Sequence, residues 1–513
     1  MLPLRYRINT EETSGLDDSE DPLAKSFAGM QIWLLSRSKR IAMRPSVLAA
    51  TLLLAPLLSA QERPKLEPEV REFVRVDAPV IALTHVRLVD GTAAAAKDDY
   101  AVLIRGEKIE AVGPTSSLTV PNGATVLDLS GRTLIPGVVG LHEHTYFRST
   151  THTTQMSFSA PRIWLGYGVT TIRTAGSMFP YNEINLKRAI DQGNVPGPRM
   201  HITGPYLNGS ANEDGMNRAL RTPEEARRVI SYWAEEGATW LKFSGSITRE
   251  VLGAGIDEAH KHGMKVTGHL CSVTFREAAA LGIDNLEHGF ITNSDYVPNK
   301  RPDLCPRENM MYQVNVDVRG PEVQATIRDL LAHKTALTST LSVYELFVRE
   351  RAKLDPRALE LLAPATKAEV EGEFKALGAG QMFSVPLKLF EKMMAFDLLF
   401  YRAGGTIGAG VDPWGNGSLP GLGNLRNYEI LVEAGFKPEE AIQVLTANGA
   451  KILGEYERFG SIEPGKYADL AVIRGDPVRK AADIYEVEMT FKRGVGYDSA
   501  KLLRAAAGQV GLR

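Results

Sequence analysis

The chain has 513 residues, more than one ordinary domain holds and ample for a large catalytic domain with a smaller companion. Its 59 basic and 61 acidic residues nearly cancel, which argues against a nucleic-acid-binding role or a strongly anionic partner. Two cysteines, Cys271 and Cys305, are too few for a disulfide scaffold, although one bridge between them stays open.

In chain order, residues 1–42 are polar and mixed, with basic Arg37, Lys39 and Arg40 near their end. Met43-Arg44 follows, then an apolar stretch from Val47 to Leu58, then Leu58-Ser59-Ala60 before Gln61. A positive end, a short apolar core and small residues at the cut are the order of a secretory signal. The core has 12 residues, short of the roughly 20 that a membrane span needs; an uncleaved anchor is the alternative. No cysteine follows the core, which argues against a lipid anchor. Residues 1–60 are thus expected to be an extension and signal peptide, with a mature chain beginning near Gln61, secreted or periplasmic. Met43 is an alternative start.

Residues 80–134 alternate apolar and polar positions between glycine and asparagine turns, and residues 453–510 resume that texture. Neither piece makes a comfortable domain alone, so the expectation is one small β-sandwich built from both ends of the mature chain. Between them, over residues 135–452, short apolar strands alternate with helical stretches in βα fashion. Strands are expected near 135–142, 168–173, 199–204, 239–243, 265–269, 283–288, 335–340 and 405–411. Eight such strands fit a (β/α)8 TIM-type barrel better than an open sheet. Helices are expected in TPEEARRVISYWAEEG, with Thr222 as cap, Pro223 in the first turn and Glu225 at the capping-box position. Others are REVLGAGIDEAHKHG, TFREAAALG and, after the last strand, KPEEAIQVLTANGAKILG. Residues 291–334 and 342–400 are longer than ordinary barrel loops and are expected to cover the barrel mouth.

The chemistry starts at GVVGLHEHTYF. His142 and His144 stand two apart at the end of an apolar strand, so both imidazoles leave one face, close enough to hold one metal ion. Lys242 lies in ATWLKFSGS, on the parity of Trp240 and Ser244. A lysine there is costly unless its charge is used or removed. Two readings stand: an ammonium snorkelling to solvent, or a desolvated amine whose neutral form reacts with carbon dioxide to give a carbamate bridging two cations. His269 ends KVTGHL, His288 ends IDNLEHG and Asp412 ends GGTIGAGVDP. All six metal-capable residues fall at the C-terminal ends of expected strands, where barrel enzymes collect their functional groups.

The stretches LIPGVVGLHEHTYF, GVTTIRTAG, ATWLKFSGS, IDEAHKHGMKVTGHL, LGIDNLEHG, GAGVD and FGSIEPGKYADLAVIRGDP resemble the amidohydrolase superfamily. Within it they are most similar to the imidazolonepropionase-like and Xaa-Pro dipeptidase-like metal-dependent hydrolases, over residues 80–510. The resemblance implies a split β-sandwich around the barrel and a binuclear centre. His142, His144 and Asp412 would bind the more buried metal, and a carboxylated Lys242 would bridge to a second metal held by His269 and His288. Two departures touch the expected pocket: Thr174 stands where aspartate often follows the arginine, and ITGPYLNGSANEDGMN has no histidine and less glycine than is usual there.

Zinc suits such a shell, with manganese or cobalt as alternatives. Two divalent ions would bring a bridging water toward a pKa of about 7 and polarise a carbonyl. Asp412 would act as general base and then general acid. Tyr206 either binds a substrate carboxylate or carbonyl or packs a loop. Glu143 points away from its histidine neighbours and supports them. Cys271, two residues after His269, reads as a packing thiol rather than a rim residue. His201, His260, His262 and His333 read as structural, and Lys334 and Arg402 as ordinary charges. The leading expectation is hydrolysis of an amide or peptide bond in a small substrate, such as a dipeptide, Xaa-Pro dipeptide or N-acyl amino acid. Ester, lactone or phosphotriester hydrolysis at the same site is the alternative, and a non-catalytic binding protein a distant one. A homo-oligomer stays open.

Overall fold

A computed structural model describes residues 63–511 except 150, 210–216 and 414. The chain divides into two units, Met1–Gln61 and Glu62–Arg513, and the described residues all fall in the second. The expected signal segment, residues 1–60, lies outside them. Among the described residues no helix is long and apolar enough to cross a membrane.

Two sheets carry the architecture. The smaller has nine strands drawn from both ends of the chain: Val74–Val76, Val80–Leu88, Lys97–Arg105, Lys108–Pro114, Thr125–Asp128 and Arg132–Pro136 from one side, Leu470–Arg474, Val487–Lys492 and Val495–Asp498 from the other. The ends join where Arg132–Pro136 runs antiparallel to Leu470–Arg474, from Leu470↔Pro136 to Arg474↔Arg132. The hydrogen bonding thus makes one continuous sheet rather than two separately paired layers. Alternation buries Ile81, Leu83, Val102, Ile104, Val472 and Phe491 in a core of its own.

The larger sheet is all parallel. Its order is Arg199–His201, Val169–Thr174, Val138–Glu143, Ile407–Ala409, Ala336–Ser339, Asn285–Glu287, Lys265–Gly268, Trp240–Phe243, Thr203–Asn208 and Asn217–Ala219. Arg199–His201 and Thr203–Asn208, which stand at opposite sides of this path, are halves of one segment interrupted at Ile202. With helices between the strands, this is an α/β fold with a sheet of the barrel type. Each of the eight expected strand positions is occupied, the first and the third by two strands each.

Differences from expectation have local causes. The apolar run leading to His142 is two strands, because Arg132–Pro136 pairs in the small sheet and Val138–Glu143 in the large one. Gly137 makes the switch, since a Cβ there would lie 2.1 Å from Thr170 Oγ1. The helix expected after the last strand is broken into Pro438–Leu445 and Ala447–Leu453. Thr446 between them has φ −129° and ψ −84°, and its hydroxyl donates back to the Ile442 carbonyl at 2.7 Å. Cys271 is not a packing thiol: it is disulfide-bonded to Cys305, with Cα atoms 4.9 Å apart. Elsewhere the caps follow the sequence. Thr222 Oγ1 accepts from Glu225 N at 3.2 Å, and Thr274 with Glu277 forms a complete capping box before Phe275–Ala280.

The strand Ile407–Ala409 approaches the donor histidines through Gly410. A Cβ at Gly410 would lie 2.3 Å from the backbone N of His142 and 2.4 Å from its Cβ. Backbone cannot yield as a flexible side chain can, so Gly410→Ala should cost about 2 kcal/mol or more. In urea titrations this should lower the midpoint at unchanged slope. A midpoint within error of the wild type would show that the two strands separate freely.

Candidate metal centre

Parallel strands present their C-terminal ends together, and there the structure gathers the six expected donors. His142 lies on Val138–Glu143 and Lys242 on Trp240–Phe243. His144, His269, His288 and Asp412 follow the ends of their strands. His288 and Asp412 turn sharply, with φ of 67° and 52°, a left-handed conformation uncommon outside glycine. Backbone hydrogen bonds hold both corners: His288 N donates to Thr338 O at 2.9 Å, and Asp412 N to His142 O at 2.8 Å.

His142, His144 and Asp412 place ligand atoms within 4.8 Å of one another, a cluster able to coordinate a divalent metal. Asp412 Oδ1 lies 3.2 Å from His144 Nε2 and 3.5 Å from His142 Nε2, and its other oxygen 3.9 Å from His288 Nε2. Lys242 Nζ donates to His142 Nε2 at 2.9 Å. The His288 ring stands 4.7 Å from His142 and 4.5 Å from His269. His288 Nε2 is buried without a hydrogen-bond partner, while its Nδ1 is held by Thr340 Oγ1 at 2.7 Å. An orphaned nitrogen aimed among carboxylate and imidazole donors fits a cation.

Protonation states suit the same role. Burial pushes His144 and His269 down to about 4 and lowers His142 and His288, so the imidazoles are neutral near pH 7. Burial also brings Lys242 down to about 8, against the pull of Asp412 and Glu287. Burial opposes the Asp412 charge, but the surrounding imidazoles and the His144 hydrogen bond outweigh it and hold the carboxyl well below its usual range.

Two residues that the sequence reading passed over organise this cluster. Glu287 is buried and accepts from His142 Nδ1 at 2.8 Å. A carboxylate only accepts, so the proton sits on Nδ1 and Nε2 keeps its lone pair facing the other donors. The same carboxylate accepts from Arg173, from Thr267 and, at 3.2 Å, from Asn285. Arg173 is buried against the Trp240 ring, 4.6 Å from its centroid. The available signal was parity: Asn285 and Glu287 share the inward face of one strand, as Trp240 and Lys242 do of another.

The remaining expected residues also have places. Glu143 is buried and accepts from Trp164 Nε1 at 3.0 Å and Asn424 Nδ2 at 2.8 Å; burial raises its carboxyl to about 7. Tyr206 is buried, its hydroxyl 3.3 Å from His144 and 2.5 Å from the Tyr146 hydroxyl. Thr174 bonds Thr203 beneath the site, at 3.1 Å between hydroxyls. His201 faces Glu455 at 3.7 Å. His260 meets Asp284 at 2.9 Å, and His262 and His333 cap helix ends. Arg402 pairs with Glu440.

A cavity of about 730 Å³ opens over the cluster, with His144, Lys242, His269 and Asp412 in its floor. Both long connections contribute to its wall, through Ile291 and Met310 from one and Tyr344 and Phe347 from the other. The disulfide partners Cys271 and Cys305 line it as well.

Fold and donor cluster together are similar to those of metal-dependent hydrolases of the amidohydrolase superfamily, prolidases among them. The family model described as "Amidohydrolase family" matches residues 394–495. A proposed prolidase from Bifidobacterium longum is 26% identical, covering 83% of this chain and 98% of its own, with a TM-score of 0.60. The structure of a Xaa-Pro dipeptidase with bound methionine is 20% identical, covering 82% and 100%, with a TM-score of 0.61. Among curated proteins, the adenine deaminase of Rubrobacter xylanophilus is 24% identical over 430 residues, 80% of this chain. The match spans 56% of that relative's length, a little over half.

Removing the Glu287 charge while keeping its shape tests the orienting bond. Glu287→Gln should weaken zinc binding about 10–100-fold in chelator competition; unchanged affinity would separate Glu287 from the cluster. His269 supplies a pH test. Its folded value of about 4 lies below its ordinary 6.5, so the unfolded chain takes up the proton first. The stability it contributes is complete above pH 6.5 and is lost as pH falls toward 4, by about 3 kcal/mol. Chelator-treated wild type should therefore lose more stability across that window than His269→Asn. Parallel losses would show that His269 titrates normally.

Proposed function

We propose that this protein hydrolyses a carbon–nitrogen bond, amide or peptide, in a small molecule held over a two-metal centre. The observation that carries the reading is the donor cluster itself, with four of its members in the floor of a cavity sized for a small substrate. The relative named a prolidase supports the same bond type. His142, His144 and Asp412 would hold one divalent ion and His269 and His288 another, zinc being the natural choice for these donors. Lys242, neutral in part near pH 8, would add carbon dioxide at Nζ and lose a proton, and as a carbamate would join the residues that hold the ions. The charge count favours this, since Glu287 and Asp412 already balance Arg173 and Lys242, and the carbamate would add the negative charge that two dications need.

When bound, the ions would lower the pKa of water and polarise the scissile carbonyl. The chain's own groups do the rest. Asp412 would take the proton of the attacking water on a carboxylate oxygen and return it to the departing amine nitrogen. The Tyr206 hydroxyl, shared with Tyr146 and beside His144, is placed to donate to the carbonyl oxygen as charge develops there. Glu287 keeps the His142 proton on Nδ1 throughout. The sheet over residues 135–452 would close as a (β/α)8 barrel through the segment 199–208, whose two halves stand at opposite sides of its path. The segments 80–134 and 453–510 would form the companion domain. The signal-like segment 43–60 would send the chain out of the cytoplasm.

A hydrolysis screen of metal-loaded protein tests this, using dipeptides, N-acyl amino acids, simple amides, lactones and phosphotriesters. Amide cleavage that falls at least 100-fold in both His142→Ala and Lys242→Ala is expected. Turnover confined to lactones or phosphotriesters, or surviving in both variants, would refute the reading.

A further inference from the structure

A dipeptide or N-acyl amino acid brings a carboxylate into the site, and a buried carboxylate needs a cation or several donors to replace its water. Arginine does this best, through its planar fork. The cavity over the donor cluster has no such group. Among the described residues that line it, Lys242 is the sole lysine or arginine, and its Nζ is already committed to His142 at 2.9 Å within the cluster. The undescribed stretches 150, 210–216 and 414 contain no lysine or arginine either.

What the wall does offer is apolar. Leu270, Ile291, Met310, Val343, Phe347 and Phe383 line the cavity. The Phe347 and Phe383 rings pack edge to face, with centroids 5.7 Å apart. Phe383 is 56% exposed, a large ring kept in contact with water at the wall. With Phe347 it carries the apolar lining out to the solvent edge of the cavity. The polar groups between these side chains, Asn208, Ser244, Thr292 and Asn309, are all uncharged. They can bond an amide or carbamate group but supply no counter-charge.

We infer that the cleft takes an uncharged substrate: a small amide, carbamate or urea whose amine side carries an aromatic or aliphatic group and no carboxylate. This rests on the hydrolase reading for the bond that breaks, but the selection itself belongs to the cleft. In an anilide the carbonyl-carbon–nitrogen bond breaks, water oxygen bonds that carbon, and the water proton ends on the aniline nitrogen. No oxidant or co-reactant is needed.

Acetanilide and 4-acetamidobenzoate share the scissile bond and differ in one para carboxylate. The ionised para carboxylate leaves the reactivity of the scissile bond in solution nearly unchanged, so a large preference for the first must come from the protein. Calorimetric binding to the full chain, and kcat/KM of the metal-loaded protein, should both favour acetanilide by about tenfold or more. Phe383→Arg places a cation in the exposed part of the wall and should narrow the gap by raising affinity for the carboxylate. Acetanilide binding less than tenfold tighter than that of the carboxylate, including no measurable binding of either, overturns the inference. The expected binding preference without hydrolysis of any amide would sustain it and overturn the hydrolase reading instead.

Discussion

One buried carboxylate organises the interior of the large sheet. Glu287 stands between Arg173, packed on Trp240, and His142, with Thr267 and Asn285 bonding the same oxygen that Arg173 reaches. A charge so deep is tolerated only when paired and fully bonded, and here four groups on four strands, Glu287's own among them, are fixed by bonding it. The arginine offsets its charge, and the histidine receives its orientation. Lys242 then donates to the other nitrogen of that histidine, so the order propagates from the interior to the rim.

At the rim the geometry is set by backbone rather than by side-chain freedom. His288 and Asp412 both leave their strands through left-handed corners, a conformation that costs free energy for residues bearing a Cβ. Both corners are tied by hydrogen bonds to neighbouring strands, and the His142 carbonyl accepts from Val411 as well as Asp412. Gly410 allows that approach, since any side chain there would collide with His142. Strain placed on the donors, and supported from adjacent strands, is what holds an orphaned imidazole nitrogen beside a carboxylate before any cation binds.

Most of this was legible in the sequence because it is periodic. Strand ends, the helix cap at Thr222 and the six donors all follow from alternation, turns and their spacing. The parts that were not legible depend on contacts between distant segments. Gly137 looks like one more glycine in an apolar run, and only the approach of Thr170 makes it the point where the chain changes sheets. Thr446 reads as helix until its hydroxyl competes for the Ile442 carbonyl. Glu287 reads as the polar neighbour of a histidine, and its role appears only when Arg173 and His142, 114 and 145 residues away, meet it.

The disulfide is the clearest case of a pairing that spacing alone leaves open. Cys271 follows His269 by two residues, and Cys305 lies 34 residues further on, in the long connection that covers the cavity. Closing a loop of that length restricts the unfolded chain by roughly 3–4 kcal/mol in the chain-entropy description. Its larger consequence is positional. Without the bridge, a connection of this length would be free to explore many conformations at little cost in closure entropy. With it, the wall that carries Asn309 and Met310 is fastened to the strand end that carries His269. The surface that meets the substrate is therefore held in register with the donors that would act on it.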